Sequence, residues 1–184
     1  MNRIAGFLSA VMAGTAIGLL AGCSGQTMSP HGYGPEWSNL SLNMMIDKYG
    51  APDRIEDKRV VWQNKGPWKR IAVWDGMDIY EKYAGVDNIE QTVTYLVPPD
   101  RLMAVNDFRD RVRVSADGAE LSARSSSEER NCLALNLADE IIHGVKTPDE
   151  ARGFYVSTLR MADAGKSSPY MQGLLFQSPS PARP

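Results

Sequence analysis

Three features of the sequence predict an α+β fold. Alternating side chains over 59–63, 68–75 and 88–97 read as strands, the first two joined by a turn at Asn64-Lys65-Gly66-Pro67. Runs at 111–116 and 119–124 flank Asp117-Gly118, a strong local signal for a second hairpin. Two capping boxes, Ser126 with Glu129 and Thr147 with Glu150, open helical patterns towards the C-terminus. The architecture expected is an antiparallel sheet of hairpins or a meander, packed by a C-terminal antiparallel helix pair. A cleaved signal and a flexible tether precede it.

The elements follow in chain order. Residues 39–49 predict a helix, capped by Ser38 or Ser41 and stopped by Gly50 and Pro52. Leu40, Met44, Met45 and Tyr49 fall at helical spacings, with Met as a filler of core gaps. On the return strand of the first hairpin, Trp68, Arg70, Ala72 and Trp74 share one face and Lys69, Ile71 and Val73 the other. Pro98-Pro99-Asp100 opens a short helix to about Phe108. Leu133, Ala134, Leu137, Ala138 and Ile141 line one face of the helix after Ser126, which Gly144 ends. Pro148 stands at the first position of the last helix, which runs to Gly165.

The 184 residues suffice for one domain with appendages, and a hydrophobic content of 43% fills a core. The formal net charge of −2 gives no electrostatic footprint for nucleic acid. Two Cys and two His exclude a disulfide-rich scaffold and a multi-histidine metal site. The division expected is 1–22 signal peptide, 23–36 modified Cys and tether, 37–165 a single α+β domain, and 166–184 a Pro/Ser-rich tail whose Leu174, Leu175 and Phe176 can tuck back onto the core.

The chain starts Met1-Asn2-Arg3 and then carries no charge until Glu36. A basic start, an apolar run from Ile4 and small residues before a cut site make an export signal. The run ends in Leu20-Ala21-Gly22-Cys23, which resembles the lipobox of bacterial lipoproteins. That resemblance implies cleavage between Gly22 and Cys23, a diacylglycerol on the Cys23 thiol, and a further acyl chain such as palmitate on the new N-terminus. An uncleaved membrane helix is the alternative; about 19 residues barely span a bilayer, and no basic stop follows Cys23. Each buried CH₂ contributes about 0.8 kcal/mol, so two or three chains anchor permanently. Ser24, where Asp would favour retention in the inner membrane, leans towards the outer membrane. The Gly/Ser/Pro-rich stretch 24–35 spans roughly 20 Å on average and about 40 Å at full stretch. His31 reads as a solvated residue of that tether.

The search for chemistry yields little that is specific. Cys132 reads as a buried thiol; an intermolecular disulfide ranks below that and a nucleophile lower still. His143 lies about 16 Å along the same helix, too far for a dyad. Asp139 and His143 are spaced for an i,i+4 surface pair. Glu56-Asp57 and Glu128-Glu129 read as exposed charge, and Ser125-Ser126-Ser127 as capping. No catalytic, metal or cofactor site is expected, and the chain is read as a non-enzyme. The candidate binding face is Trp62, Trp68, Arg70 and Trp74, since indoles stack on sugars and a guanidinium adds a hydrogen-bond fork. The plainer reading puts these indoles in the core between sheet and helix.

Leu20-Ala21-Gly22-Cys23, Tyr49-Gly50-Ala51-Pro52-Asp53 and the hairpin from Val60 to Trp74 with Trp62 together resemble the small-protein-A/outer-membrane-lipoprotein-A family. The resemblance implies a tethered lipoprotein with helices leading to an antiparallel meander, acting as an envelope-assembly accessory by binding protein. The segments 120–124 and 133–138 are similar to stretches of uncharacterised exported bacterial proteins. The function expected is a lipid-anchored, periplasm-facing interaction or assembly-accessory module with a membrane partner through Cys23 and an envelope protein partner. A ligand-binding lipoprotein for glycan, peptidoglycan or a small molecule is the alternative.

Overall fold

The computed structural model describes residues 39–56, 58–74, 87–108 and 112–177, and of residues 39 and 40 the backbone alone. The signal, Gly22, Cys23, the tether with His31, and the end of the tail from 178 lie outside the described residues. So do Asp57, Asp75 and Arg111.

Helix α1 (Asn39–Tyr49) is followed by the strands β1 (Arg54–Glu56), β2 (Arg59–Lys65), β3 (Trp68–Trp74) and β4 (Ile89–Thr94). A 3-10 turn (Pro99–Arg101) leads into α2 (Leu102–Asp107), then β5 (Val112–Val114), β6 (Glu120–Ser125), α3 (Glu128–Ile142), α4 (Pro148–Asp163) and the short α5 (Pro169–Gln172). The α+β class holds. The strands form one six-stranded sheet in the order β1-β2-β3-β4-β6-β5, with every neighbouring pair antiparallel. The first four strands form a meander. The second hairpin then docks by its later strand, so β6 and not β5 lies beside β4.

Register assigns the two faces of the sheet. Val60, Trp62, Ile71, Val73, Ile89, Gln91, Val93, Leu121, Ala123 and Val112 align on one face through their cross-strand partners. All of them are buried, and α3 packs over the part of this face formed by β4, β5 and β6. Helix α3 is enclosed nearly all round: every residue from Asn131 to Ala138 is buried, beyond the single apolar stripe the sequence displays. The sheet takes one side, while α4, α5 and α2 pack against it as well. Two asparagines inside this helix must therefore find partners. Asn131 Nδ2 donates to the Ile89 carbonyl and to Gln91 Oε1, both at 3.0 Å, and the Ser125 hydroxyl donates to Asn131 Oδ1 at 2.7 Å. Asn136 Nδ2 donates to the carbonyls of Tyr170 (3.0 Å) and Gly173 (2.8 Å), and its Oδ1 accepts from Leu175 N (2.8 Å). This amide clasps the stretch around α5, whose Tyr170, Met171, Leu174 and Phe176 rest on the core.

Local details shift from the sequence reading. The cap of α3 is Ser127, whose Oγ accepts from Arg130 N, because Ser125 stays in β6 and the chain turns one residue later than expected. The Thr147–Glu150 capping box forms in full, with Pro148 at the first turn. Gly144, at φ 71°, ends α3 in a left-handed turn closed by Val145 N donating to the Glu140 carbonyl (2.8 Å). In α1 the buried stripe is Leu42 and Met45 with Ile46 and Tyr49 against it, while Met44 faces solvent.

Candidate functional site

The four residues of the candidate face separate. Trp62 and Trp68 are 0% and 1% exposed and belong to the core. The face as drawn from the sequence is therefore corrected: the opposite side of the sheet keeps only Arg70 and Trp74. Trp62 lies on the helix-covered face by register, and its Nε1 donates to the Gly50 carbonyl at the end of α1 (2.9 Å). Trp68 shares strand parity with Arg70 but turns inward, donating from Nε1 to Tyr49 Oη (3.0 Å) and to Glu128 Oε1 (3.3 Å). Asn64 at φ 51° and Gly66 at φ 57° flank this turn; left-handed backbone breaks the pleat there and lets Trp68 leave its expected side.

The outer face is built from strand residues of the other parity. Five arginines align on it, Arg54, Arg59, Arg70, Arg113 and Arg124, against three carboxylates, Glu56, Glu90 and Glu120. Small residues in its middle, Val61, Ala72 and Thr92, are 0% exposed under this layer of long side chains. The Arg59 and Arg124 guanidiniums lie 4.8 and 5.3 Å from the Trp74 ring centroid, within cation–π range. Arg70 Nη2 donates to Thr92 Oγ1 (3.1 Å), which pairs with Ser122 Oγ (2.9 Å). Glu120 is met by Lys69 (2.5 Å) and Arg70 (3.5 Å). Arg59 Nε donates to Glu56, which holds that carboxyl below the usual carboxylate range, and Arg124 Nε donates to the Asp87 carbonyl (2.8 Å). Donors outnumber acceptors: Arg70 Nε and Trp74 Nε1 are shielded and have no acceptor.

The remaining candidates resolve into structure. Cys132 is buried, and desolvation, with Glu128 and Glu129 nearby, pushes its thiol up to about 12. His143 caps the far end of α3 at the surface, so the two are not brought together. Its Nδ1 lies 3.3 Å from Asp139 Oδ1, which also accepts from Tyr95 Oη (2.6 Å), tying the end of β4 to α3. Glu128 is no free surface charge: it accepts from Tyr49 and pairs with Lys48 (3.2 Å). Burial first and Glu128 second push the Tyr49 phenol well above its usual value, and burial with Asp139 does the same for Tyr95. In a cleft of about 500 Å³ lined by Asp107, Pro148, Asp149 and Arg152, the Arg152 guanidinium is already engaged, bonding the Asp149 carboxylate and the Asp107 backbone carbonyl.

No family model, curated protein or solved structure matches the chain.

These raised acids give a pH prediction with a definite sign. Below about pH 9, the ordinary range for a thiol, folded and unfolded chains both hold the Cys132 proton and stability is indifferent to it. Above that, the unfolded chain releases the proton while the fold retains it to about 12, so stability falls as pH rises through this window. Tyr49 and Tyr95 act in the same direction at higher pH. Thermal melts by circular dichroism should show Tm declining from about pH 9 upward, less steeply in Cys132→Ala. A Tm that stays level to about pH 11 contradicts the burial of these groups.

Proposed function

We propose that the chain is a lipid-anchored protein of the bacterial envelope that works as a non-enzymatic interaction or assembly-accessory module. Cys23 carries the acyl chains, cleavage falls between Gly22 and Cys23, and the domain faces the periplasm, with Ser24 favouring the outer membrane. One observation carries the interaction reading: one face of the sheet is buried, with α3 packed on β4, β5 and β6, while the other presents Trp74 between the guanidiniums of Arg59 and Arg124, with Arg70 on the same face. Trp and Arg are the residues that dominate binding energy at protein interfaces. The likeness of 20–23, 49–53 and 60–74 to envelope-assembly lipoproteins points the same way. A glycan platform loses its support, because two of its three indoles lie in the core.

Two measurements test this. Intact mass and fractionation of cells expressing the wild type and Cys23→Ala should find the acylated, shortened wild type in the membrane fraction and the variant released from it. Detergent-extractable association that survives Cys23→Ala defeats the anchor. A photo-crosslinking residue in place of Arg113, exposed on the outer face, should give a discrete protein adduct in cells; none from Lys166 on the helical side is expected.

A further inference from the structure

The outer face holds a concentration of one charge sign on a chain whose formal net charge is −2. Its five arginines exceed its three glutamates, and the excess is guanidinium rather than ammonium. A guanidinium offers five N–H donors in a planar fork that matches a carboxylate two at a time. Arg59 uses Nε on Glu56, Arg124 uses Nε on Asp87, and Arg70 uses Nη2 on Thr92 and Glu120. Arg70 Nε and the Trp74 indole N–H are left without an acceptor. Such a face is complementary to a partner rich in acceptors and negative charge.

Two features choose the class of partner. Among the described residues, the large exposed apolar side chains are Met44, Ile55, Leu96, Met103, Val145, Val156, Met161 and Leu175. Within the paired strands none of them falls on the outer face, and only Leu96, two residues past Thr94, borders it. A surface built to enter a lipid interface presents apolar groups beside its cations; this one presents Trp74 flanked by two guanidiniums, the make-up of a protein-binding centre. The dimensions also fit a peptide. From Arg54 on β1 to Arg113 on β5 the sheet measures roughly 24 Å, the length of about seven extended residues.

We propose that the outer face docks a short acidic polypeptide segment of a partner protein, its carboxylates forked by Arg59, Arg70 and Arg124 around Trp74. This rests on the interaction-module reading above and names the chemistry of the partner. The carboxylates pair with the guanidinium forks two nitrogens at a time, and the Trp74 ring supplies the apolar floor between those of Arg59 and Arg124.

The test uses the full chain, purified from membranes in a nonionic detergent, and a fluorescein-labelled Glu/Asp-rich peptide followed by anisotropy. Binding should weaken as salt is added and fall at least about tenfold in Arg59→Glu/Arg124→Glu, with Lys166→Glu unchanged. Should the double variant fail to fold, Arg54→Glu/Arg113→Glu, at exposed positions of the same face, should still lower affinity severalfold. Absence of peptide binding overturns the proposal, as does binding indifferent to these arginines. Arginine-dependent binding to phosphatidylglycerol vesicles without peptide binding overturns it in favour of a membrane surface. A protein adduct from position 113 that persists while the peptide does not bind removes this inference and leaves the interaction module standing; loss of both removes the two together.

Discussion

Trp62→Ala should cost about 3–5 kcal/mol of unfolding free energy, the range for removing a large aromatic from a packed core. Trp62 is fully buried, and it stands where three elements meet. Ile71 is its cross-strand partner, and the carbonyl of Gly50, just past the end of α1, accepts its indole N–H. The alanine leaves a cavity and frees the end of α1 from the sheet in one step. Urea denaturation followed by circular dichroism measures the loss as a lower midpoint at unchanged slope. Trp62→Phe keeps most of the volume and gives up the hydrogen bond, so about 1–2 kcal/mol is expected there. Trp74→Ala is the contrast: its ring is half-buried under two guanidiniums, and roughly 1 kcal/mol is expected. Equal losses at positions 62 and 74 would contradict the assignment of the two indoles to opposite faces.

Asn136→Leu should release the C-terminal stretch around α5 while the sheet stays folded. The substitution keeps the side-chain volume but strips acceptors and donors from Tyr170, Gly173 and Leu175 together. Each polar group orphaned in a buried site costs about 1–3 kcal/mol, so the segment relieves the penalty by lifting into water. Its departure gives up the contact of Tyr170 with Phe154 at 4.8 Å, that of Phe176 with Tyr95 at 5.3 Å, and the bond of the Tyr170 hydroxyl to Glu140. Hydrogen exchange read by mass spectrometry should show protection of 170–176 lost and that of β3 and β4 retained. Unchanged protection of 170–176 would mean that apolar packing, not the amide, holds the segment.

The parts of the fold legible in the sequence are those governed by near neighbours. The Thr147–Glu150 box, the glycine stops and both hairpins follow from residues a few positions apart. Strand β1 is not legible in the sequence because Arg54-Ile55-Glu56 has too few residues for a pattern and exists only through pairing with β2. The place of β6 beside β4 is a long-range choice that no local signal encodes. Three consecutive serines leave the cap of α3 ambiguous until Ser125 is seen bound to Asn131. The site was half legible: Trp74 and Arg70 lie as alternation predicts. Trp68 departs because of the left-handed backbone at Asn64 and Gly66 in the turn. The arginines that complete the outer face come from five different strands, so the sequence shows them scattered and only the register gathers them.

The margins of the sheet bear on its behaviour at high local density. β1 and β5 are each three residues long, and polar side chains occupy the peptide groups beyond them. Asp53 Oδ2 takes the Gln63 N–H at 2.6 Å, and Ser115 Oγ takes those of Ala119 and Glu120 at 3.1 and 2.9 Å. A second chain has little to zip onto at either border, the usual route by which β proteins grow into fibrils. At high concentration the protein should therefore resist edge-to-edge polymerisation.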